Sequence, residues 1–189
     1  MIKVVALFGK SGAGKDTILN LMLKSAPGVF NKIVSCTTRP PRNGEVDGVD
    51  YHFITREEFA AGVMKDEFIE ALEFNGWFYG AQITSLNREK INIGIFTPSG
   101  INALMDTSEE FDLAVLPIYI RCNDIERIFR CLEREISPDI KEIHRRYYTD
   151  EADFKKIQYG FETIYNEKNK NDLHDNVEII ADYCKDMFG

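Results

Sequence analysis

The stretch GKSGAGKDT, Gly9 to Thr17, holds the densest concentration of chemistry in the chain. It follows the spacing G-x-x-x-x-G-K, in which a glycine loop turns several backbone N–H groups toward one centre and binds phosphate. Gly9, Gly12 and Gly14 supply the backbone freedom, with Lys10, Ser11 and Ala13 at the intervening positions. Lys15 brings an ammonium to the β- and γ-phosphates of a nucleoside triphosphate. The pattern then calls for Ser or Thr, whose hydroxyl meets magnesium. Here that position is Asp16, and Thr17 is one place late. A carboxylate beside a triphosphate is repelled unless a cation lies between them, and a hard Mg²⁺ favours carboxylate, hydroxyl and water oxygens. Asp16 and Thr17 are thus the expected metal-facing residues.

Two further stretches carry charge in suggestive places. VSCTTRPPRNGEVDGVDYHF, Val34 to Phe53, places Arg39 and Arg42 three residues apart in a Pro/Gly-rich loop, with Tyr51 following. Such a pair is either an ordinary exposed loop or a fork for a phosphate. EFIEALEFNGWFYG, Glu67 to Gly80, reads as strand, turn at Asn75-Gly76 and strand. Composition leaves Glu67, Glu70 and Glu73 open between solvated edge charges and something more specific.

Taken together these residues resemble the guanylate kinase family over nearly the whole chain. The family pattern S-x-T-T-R-x-P-R-x-G-E-x-x-G-x-D-Y-x-F is met by Ser35, Thr37, Thr38, Arg39, Pro41, Arg42, Gly44, Glu45, Gly48, Asp50, Tyr51 and Phe53, and E-F-I-E and Y-G by Glu67 to Glu70 and Tyr79-Gly80. The resemblance implies that Arg39, Arg42, Tyr51 and Tyr79 hold the phosphate of GMP, and that Ser35 and Glu70 read its guanine. A carboxylate suits that task because guanine N1–H and its exocyclic amine are paired donors that adenine lacks. It also implies ATP as phosphoryl donor, bound at Gly9 to Thr17. Arginines at 130, 134 and 146 would close over the transferring group, with Arg145 an alternative to Arg146. Asn166 would lie on the adenine side.

One segment departs from the family. In place of an acidic strand end D-x-D-x-Q-G or E-x-D-x-Q-G, the chain reads GIFTPSG, so Ile95 and Thr97 stand where acids are expected and Ser99 where glutamine is. Thr97 or Ser99 is then at best a weaker partner for the base. An acid here also lies near the metal in the manner of a Walker B residue. The lost carboxylate has either reappeared as Asp16 or the two changes are unrelated. A kinase of broader base preference, and a non-catalytic interaction module of the same fold, are the rival readings, the second disfavoured by the intact Gly9, Gly14 and Lys15.

The elements that must position these groups follow from pattern. Ile2 to Phe8 is an apolar run suited to a buried parallel strand, and Ile18, Leu19, Leu21, Met22 and Leu23 suit a helix that Pro27-Gly28 ends. Leu113 to Ile120 is a second core strand, followed by a charged helical stretch broken at Ser137-Pro138. The expectation is a single α/β domain, residues 1–189, with a P-loop NTPase fold. Its parallel-sheet core comprises 1–33, 86–125 and 160–189, with a β-rich GMP-binding insertion at 34–85 and an Arg-rich helical lid at 126–159. At 189 residues, 44% hydrophobic and 29% charged, the composition is that of a soluble globular protein. A net charge of −8 argues against a nucleic-acid surface but leaves room for local arginine clusters. Four scattered cysteines, no leader and no apolar span suggest a reduced, cytoplasmic protein, monomer or homodimer, whose partners are ATP and GMP or dGMP.

Overall fold

The computed structural model describes residues 1–42, 44–74, 76–133, 138–168 and 172–189. Strand β1 (Ile2–Phe8) enters the glycine loop, and α1 (Lys15–Ser25) leaves it. Then come β2 (Phe30–Lys32), β3 (Cys36–Thr37), β4 (His52–Phe53), α2 (Arg56–Met64), β5 (Phe68–Phe74) and β6 (Trp77–Gln82). The chain returns through β7 (Ile91–Ile95), α3 (Pro98–Asp106) and β8 (Leu113–Arg121) to α4 (Asp124–Glu133) and α5 (Ile140–Asp153), and finishes with β9 (Glu162–Tyr165) and α6 (Leu173–Phe188).

Two sheets result. The larger is wholly parallel in the order β2-β7-β1-β8-β9. Its central strand β1 is apolar throughout because both faces are covered, the condition under which parallel strands lose alternation. Val5 and Leu7 pack on Ile18, Leu19 and Met22 of α1 and on Val177 and Ile180 of α6. Val4, Ala6 and Phe8 face the opposite side, against Ile101 and Leu104 of α3. Pro117 is tolerated in β8 because it pairs with Ala6 on β1, while β9 begins only opposite Ile118.

The smaller sheet, β4-β3-β6-β5, is mixed and lies within the stretch expected to form an insertion. It joins the core through Ile69 and Ala81, which are buried with the α3 side of the large sheet, and through the Thr107 hydroxyl donating to the Ile69 carbonyl at 2.7 Å. The β5–β6 register slips between Phe68 and Glu70. A bulge of this kind bends a strand and re-aims its side chains, and here three successive residues, Phe68, Ile69 and Glu70, are all buried. Local signals set the helix starts: Thr55 and Glu58 form a capping box on α2, and Thr97 caps α3 ahead of Pro98.

Candidate active site

A cavity of about 450 Å³ opens where the three parts meet. Its floor is the loop after β1 (Gly9, Ser11, Lys15), one wall is the small sheet with the loop before it, and its roof is α5. The loop has the geometry the sequence implies. Gly12 is at φ +78° and Gly14 at φ +91°, and a Cβ on Gly12 would stand 2.3 Å from the Arg127 carbonyl oxygen, so close packing and left-handed backbone both demand glycine there. The Lys15 ammonium donates to the carbonyls of Gly9 at 2.7 Å and Lys10 at 3.3 Å.

The wall holds six of the expected acceptor-side residues: Ser35, Arg39, Arg42, Tyr51, Glu70 and Tyr79, joined by Thr97. Arg39 is 7% exposed. Its two Nη atoms donate to the Glu45 carboxylate at 2.7 and 2.8 Å, and its guanidinium lies 5.1 Å over the Tyr51 ring. Among the described residues its Nε has no partner. Glu45 is held below the usual carboxylate range, chiefly by its hydrogen bond from Arg39. Arg42 is more exposed and donates its backbone N–H to the same carboxylate. Burial raises the Tyr51 phenol, and the Tyr79, Asp16 and Glu45 charges add to this while Arg39 opposes it.

Glu70 is the most unusual group in the wall. It is 6% exposed, and burial pushes its carboxyl up to about 8 against a hydrogen bond from the Ala81 N–H. Its Oε2 has no hydrogen-bond partner among the described residues. A buried carboxyl with an open oxygen in a cavity is costly unless a donor arrives. Its neighbours Glu67 and Glu73 are not buried. Leu72, Phe74, Trp77, Ile95, Phe96 and Pro98 form an apolar surround, of which the sequence reading named only Ile95, as a missing acid. For Leu72, Phe74 and Trp77, large side chains on a two-stranded ribbon were the available signal.

The roof presents Arg145 and Arg146 together, both gripped by Glu142: Oε1 takes Arg146 Nε at 2.8 Å, and Oε1 and Oε2 take Arg145 at 2.7 Å each. These bonds hold Glu142 down to about 2. Both arginines line the cavity, so geometry keeps both as candidates. Glu142 escaped the sequence reading, although its i+3 and i+4 spacing to two arginines on a helix signals it. The roof is also fastened to the floor. Asp150 accepts the Ser11 backbone N–H at 2.7 Å, Glu151 pairs with Lys10, and the nearly buried Arg127 bridges Asp124, Asp150 and Glu151. Nothing in the sequence pattern marked the Ser11–Asp150 and Lys10–Glu151 contacts, because they join residues about 140 apart.

Several expected residues lie elsewhere. Arg130, expected over the transferring group, does not line the cavity. It is held by Glu126 at 3.2 Å and the Asn166 carbonyl at 3.1 Å. Asn166, expected on the adenine side, is buried with its amide on the Ala13 carbonyl at 2.7 Å. Ser99 is exposed in the first turn of α3 and does not line the cavity. Ala13 is buried, and the Lys10 side chain is taken by Glu151. Arg134 lies outside the described residues. Asp16 and Thr17 are exposed on the first turn of α1. Among the described residues no three His, Cys, Asp or Glu gather as a metal cage. That donor set suits Mg²⁺ bound mainly through substrate phosphates and water, for which one carboxylate or hydroxyl suffices.

The family model described as guanylate kinase matches residues 1–186. The chain belongs to the guanylate kinase family. Over 92 residues it is 45% identical to a guanylate kinase of Schizosaccharomyces pombe, covering 48% of this chain and 46% of that one. It is 46% identical over 92 residues to one of Synechococcus elongatus, covering 49% of each, and 49% identical over 76 residues to one of Homo sapiens, covering 40% and 39%. The chain thus spans about half or less of the length of the curated relatives it matches. A crystal structure of guanylate kinase from Anaplasma phagocytophilum shares the fold, with TM-score 0.70 at 24% identity over 97% of this chain and 85% of that one. The α/β P-loop architecture is therefore that of the family. Among the described residues no helix is long and apolar enough to cross a membrane.

Proposed function

We propose that this chain transfers the γ-phosphoryl group of Mg·ATP to GMP or dGMP. The observation that carries this is Glu70: a buried carboxyl with an open oxygen, facing the same cavity as the Lys15 loop and the arginine wall. Guanine offers N1–H and an exocyclic amine, the two donors such a carboxylate lacks, and Ser35 and Thr97 stand at the same rim. The GMP phosphate fits the patch made by Arg39, Arg42, Tyr51 and Tyr79, with the open Arg39 Nε as a further donor.

In the reaction an oxygen of the GMP phosphate attacks the γ-phosphorus and the bond to the β,γ-bridging oxygen breaks, giving a nucleoside diphosphate and ADP. No side-chain nucleophile is needed, so the protein contributes positioning and charge neutralisation. Lys15 holds the donor phosphates, while Arg145 or Arg146, oriented by Glu142, meets the transferring group from the roof. The Asp150–Ser11 contact must open as the donor phosphates settle on the loop. Magnesium would be held from Asp16 or Thr17 and would supply neutralisation of the donor phosphates. The four free cysteines fit a reducing cytoplasm.

Thr97 in place of an acid favours a second reading, in which base preference is relaxed. A coupled ADP-release assay with GMP, dGMP, AMP, dTMP and CMP tests both. Turnover confined to the guanine nucleotides supports the first reading, and comparable turnover with AMP supports the second. Absence of turnover with all five, or activity surviving Lys15→Ala, overturns the kinase assignment.

A further inference from the structure

We infer that Asn166, together with Arg130, is a positioning residue that sets the orientation of the phosphate loop through the peptide joining Ala13 to Gly14. This rests on the reading of the loop as a donor-phosphate site. The peptide joining Ala13 to Gly14 is the relevant unit. In a trans peptide the carbonyl and the N–H point in opposite directions, so fixing one aims the other. The Ala13 carbonyl accepts from the Asn166 amide at 2.7 Å and from Arg130 Nη1 at 3.5 Å. Neither donor lines the cavity. Holding the Ala13 carbonyl therefore fixes the opposite direction of the Gly14 N–H, one of the amides of the glycine loop.

The brace is itself rigid. Asn166 is 6% exposed, and its backbone N–H donates to the Arg121 carbonyl at 2.8 Å, continuing the β8–β9 ladder by one residue. Arg130 Nη2 donates to the Asn166 carbonyl at 3.1 Å and to Glu126 at 3.2 Å. Gly14 completes the device. At φ +91° it opens α1 with no side-chain cap, and a Cβ there would stand 2.3 Å from Asn166 Nδ2. Glycine at 14 and a short amide at 166 thus require each other: a side chain at 14 would expel the amide that orients the peptide. One N–H of the amide is committed to this contact.

The test separates phosphate orientation from base contact by using a ligand with no base. Affinities of Asn166→Ala and the parent for ATP, inorganic tripolyphosphate and GMP are compared by calorimetry, with thermal unfolding alongside. Losing a buried, geometry-setting hydrogen bond should weaken ATP and tripolyphosphate by the same factor, roughly five- to twenty-fold, and leave GMP affinity unchanged. Arg130→Gln, at a partly exposed position, should show the same pattern at smaller size and covers the case in which Asn166→Ala does not fold. A loss confined to ATP would make Asn166 a base contact and overturn the inference. Parallel losses for GMP and a large fall in Tm would make the role merely structural, which also overturns it. If the parent itself binds neither ATP nor tripolyphosphate, the phosphate-loop reading fails and the inference with it, an outcome distinct from the other two.

Discussion

Replacing Glu70 with Gln should make the unliganded protein more stable at alkaline pH while spoiling its recognition of guanine. The folded chain holds the Glu70 carboxyl near 8 because burial penalises its charged form, whereas in the unfolded chain it titrates near 4.5. Between those values the folded state keeps a proton that the unfolded state releases, so this group's contribution to stability falls as pH rises through the window. Across the full gap the loss reaches about 5 kcal/mol, at 1.36 kcal/mol per pH unit. Gln keeps the shape and an oxygen for the Ala81 N–H but carries no titrating charge. The stability gap between Glu70→Gln and the parent, from denaturant unfolding, should therefore widen in favour of the variant by about 3 kcal/mol from pH 5.5 to 8.5. GMP should bind in the opposite sense. Its N–H donors favour the ionised carboxylate, so parent affinity should climb with pH toward 8, and the variant, which places an NH₂ against a guanine donor, should lose that slope. Comparing the two proteins cancels the titration of the GMP phosphate itself. Parallel stability curves at all three pH values 5.5, 7 and 8.5 would refute the claim that Glu70 is buried at a cost and waits for a donor. The cost would mark the site as one where stability is given up for function.

Three further outcomes follow from the geometry. Arg39→Ala should raise KM for GMP by roughly ten- to a hundred-fold with little change in KM for ATP, the loss of a charge-assisted contact in the acceptor wall; a defect falling on ATP would place the loop on the wrong substrate. Asp16→Ser should raise the magnesium concentration for half-maximal rate, and adding Thr97→Asp should restore it, since Asp can still cap α3 as Thr97 does through the Gly100 N–H at 3.0 Å; a magnesium curve unchanged in Asp16→Ser would make the two departures independent. Asp150→Ala should tighten binding of a non-hydrolysable ATP analogue by roughly tenfold, because a carboxylate hydrogen bond to Ser11 N–H no longer competes with the donor phosphates; weaker binding would mean that Asp150 belongs to the donor site.

Much of the local architecture was written in the order of residues. The apolar run Ile2 to Phe8, the glycine spacing and the helix opened at Lys15 fix a strand–loop–helix unit without help from the rest of the chain, because hydrophobic period and glycine freedom act over a few residues. Family-like spacing likewise marked the acceptor-wall residues Ser35, Arg39, Arg42, Tyr51, Glu70 and Tyr79 before any of them could be seen together. What sequence alone left undecided was the environment of each charge. Glu67, Glu70 and Glu73 recur at the same spacing, yet a register slip in β5 and the packing of the small sheet on α3 bury Glu70 alone. Arg130 and Arg146 read alike as helix-surface cations. Tertiary structure ties one to Asn166 and Glu126 outside the cavity lining and brings the other into the roof with Glu142. Asp150 and Glu151 looked like ordinary helix acids until folding set them against Ser11 and Lys10. The physical reason is common to all three cases. Backbone preference is short-ranged and legible along the chain, whereas desolvation and charge pairing depend on which surfaces meet in the fold, at separations from one helical turn (Arg146 with Glu142) to 141 positions (Lys10 with Glu151).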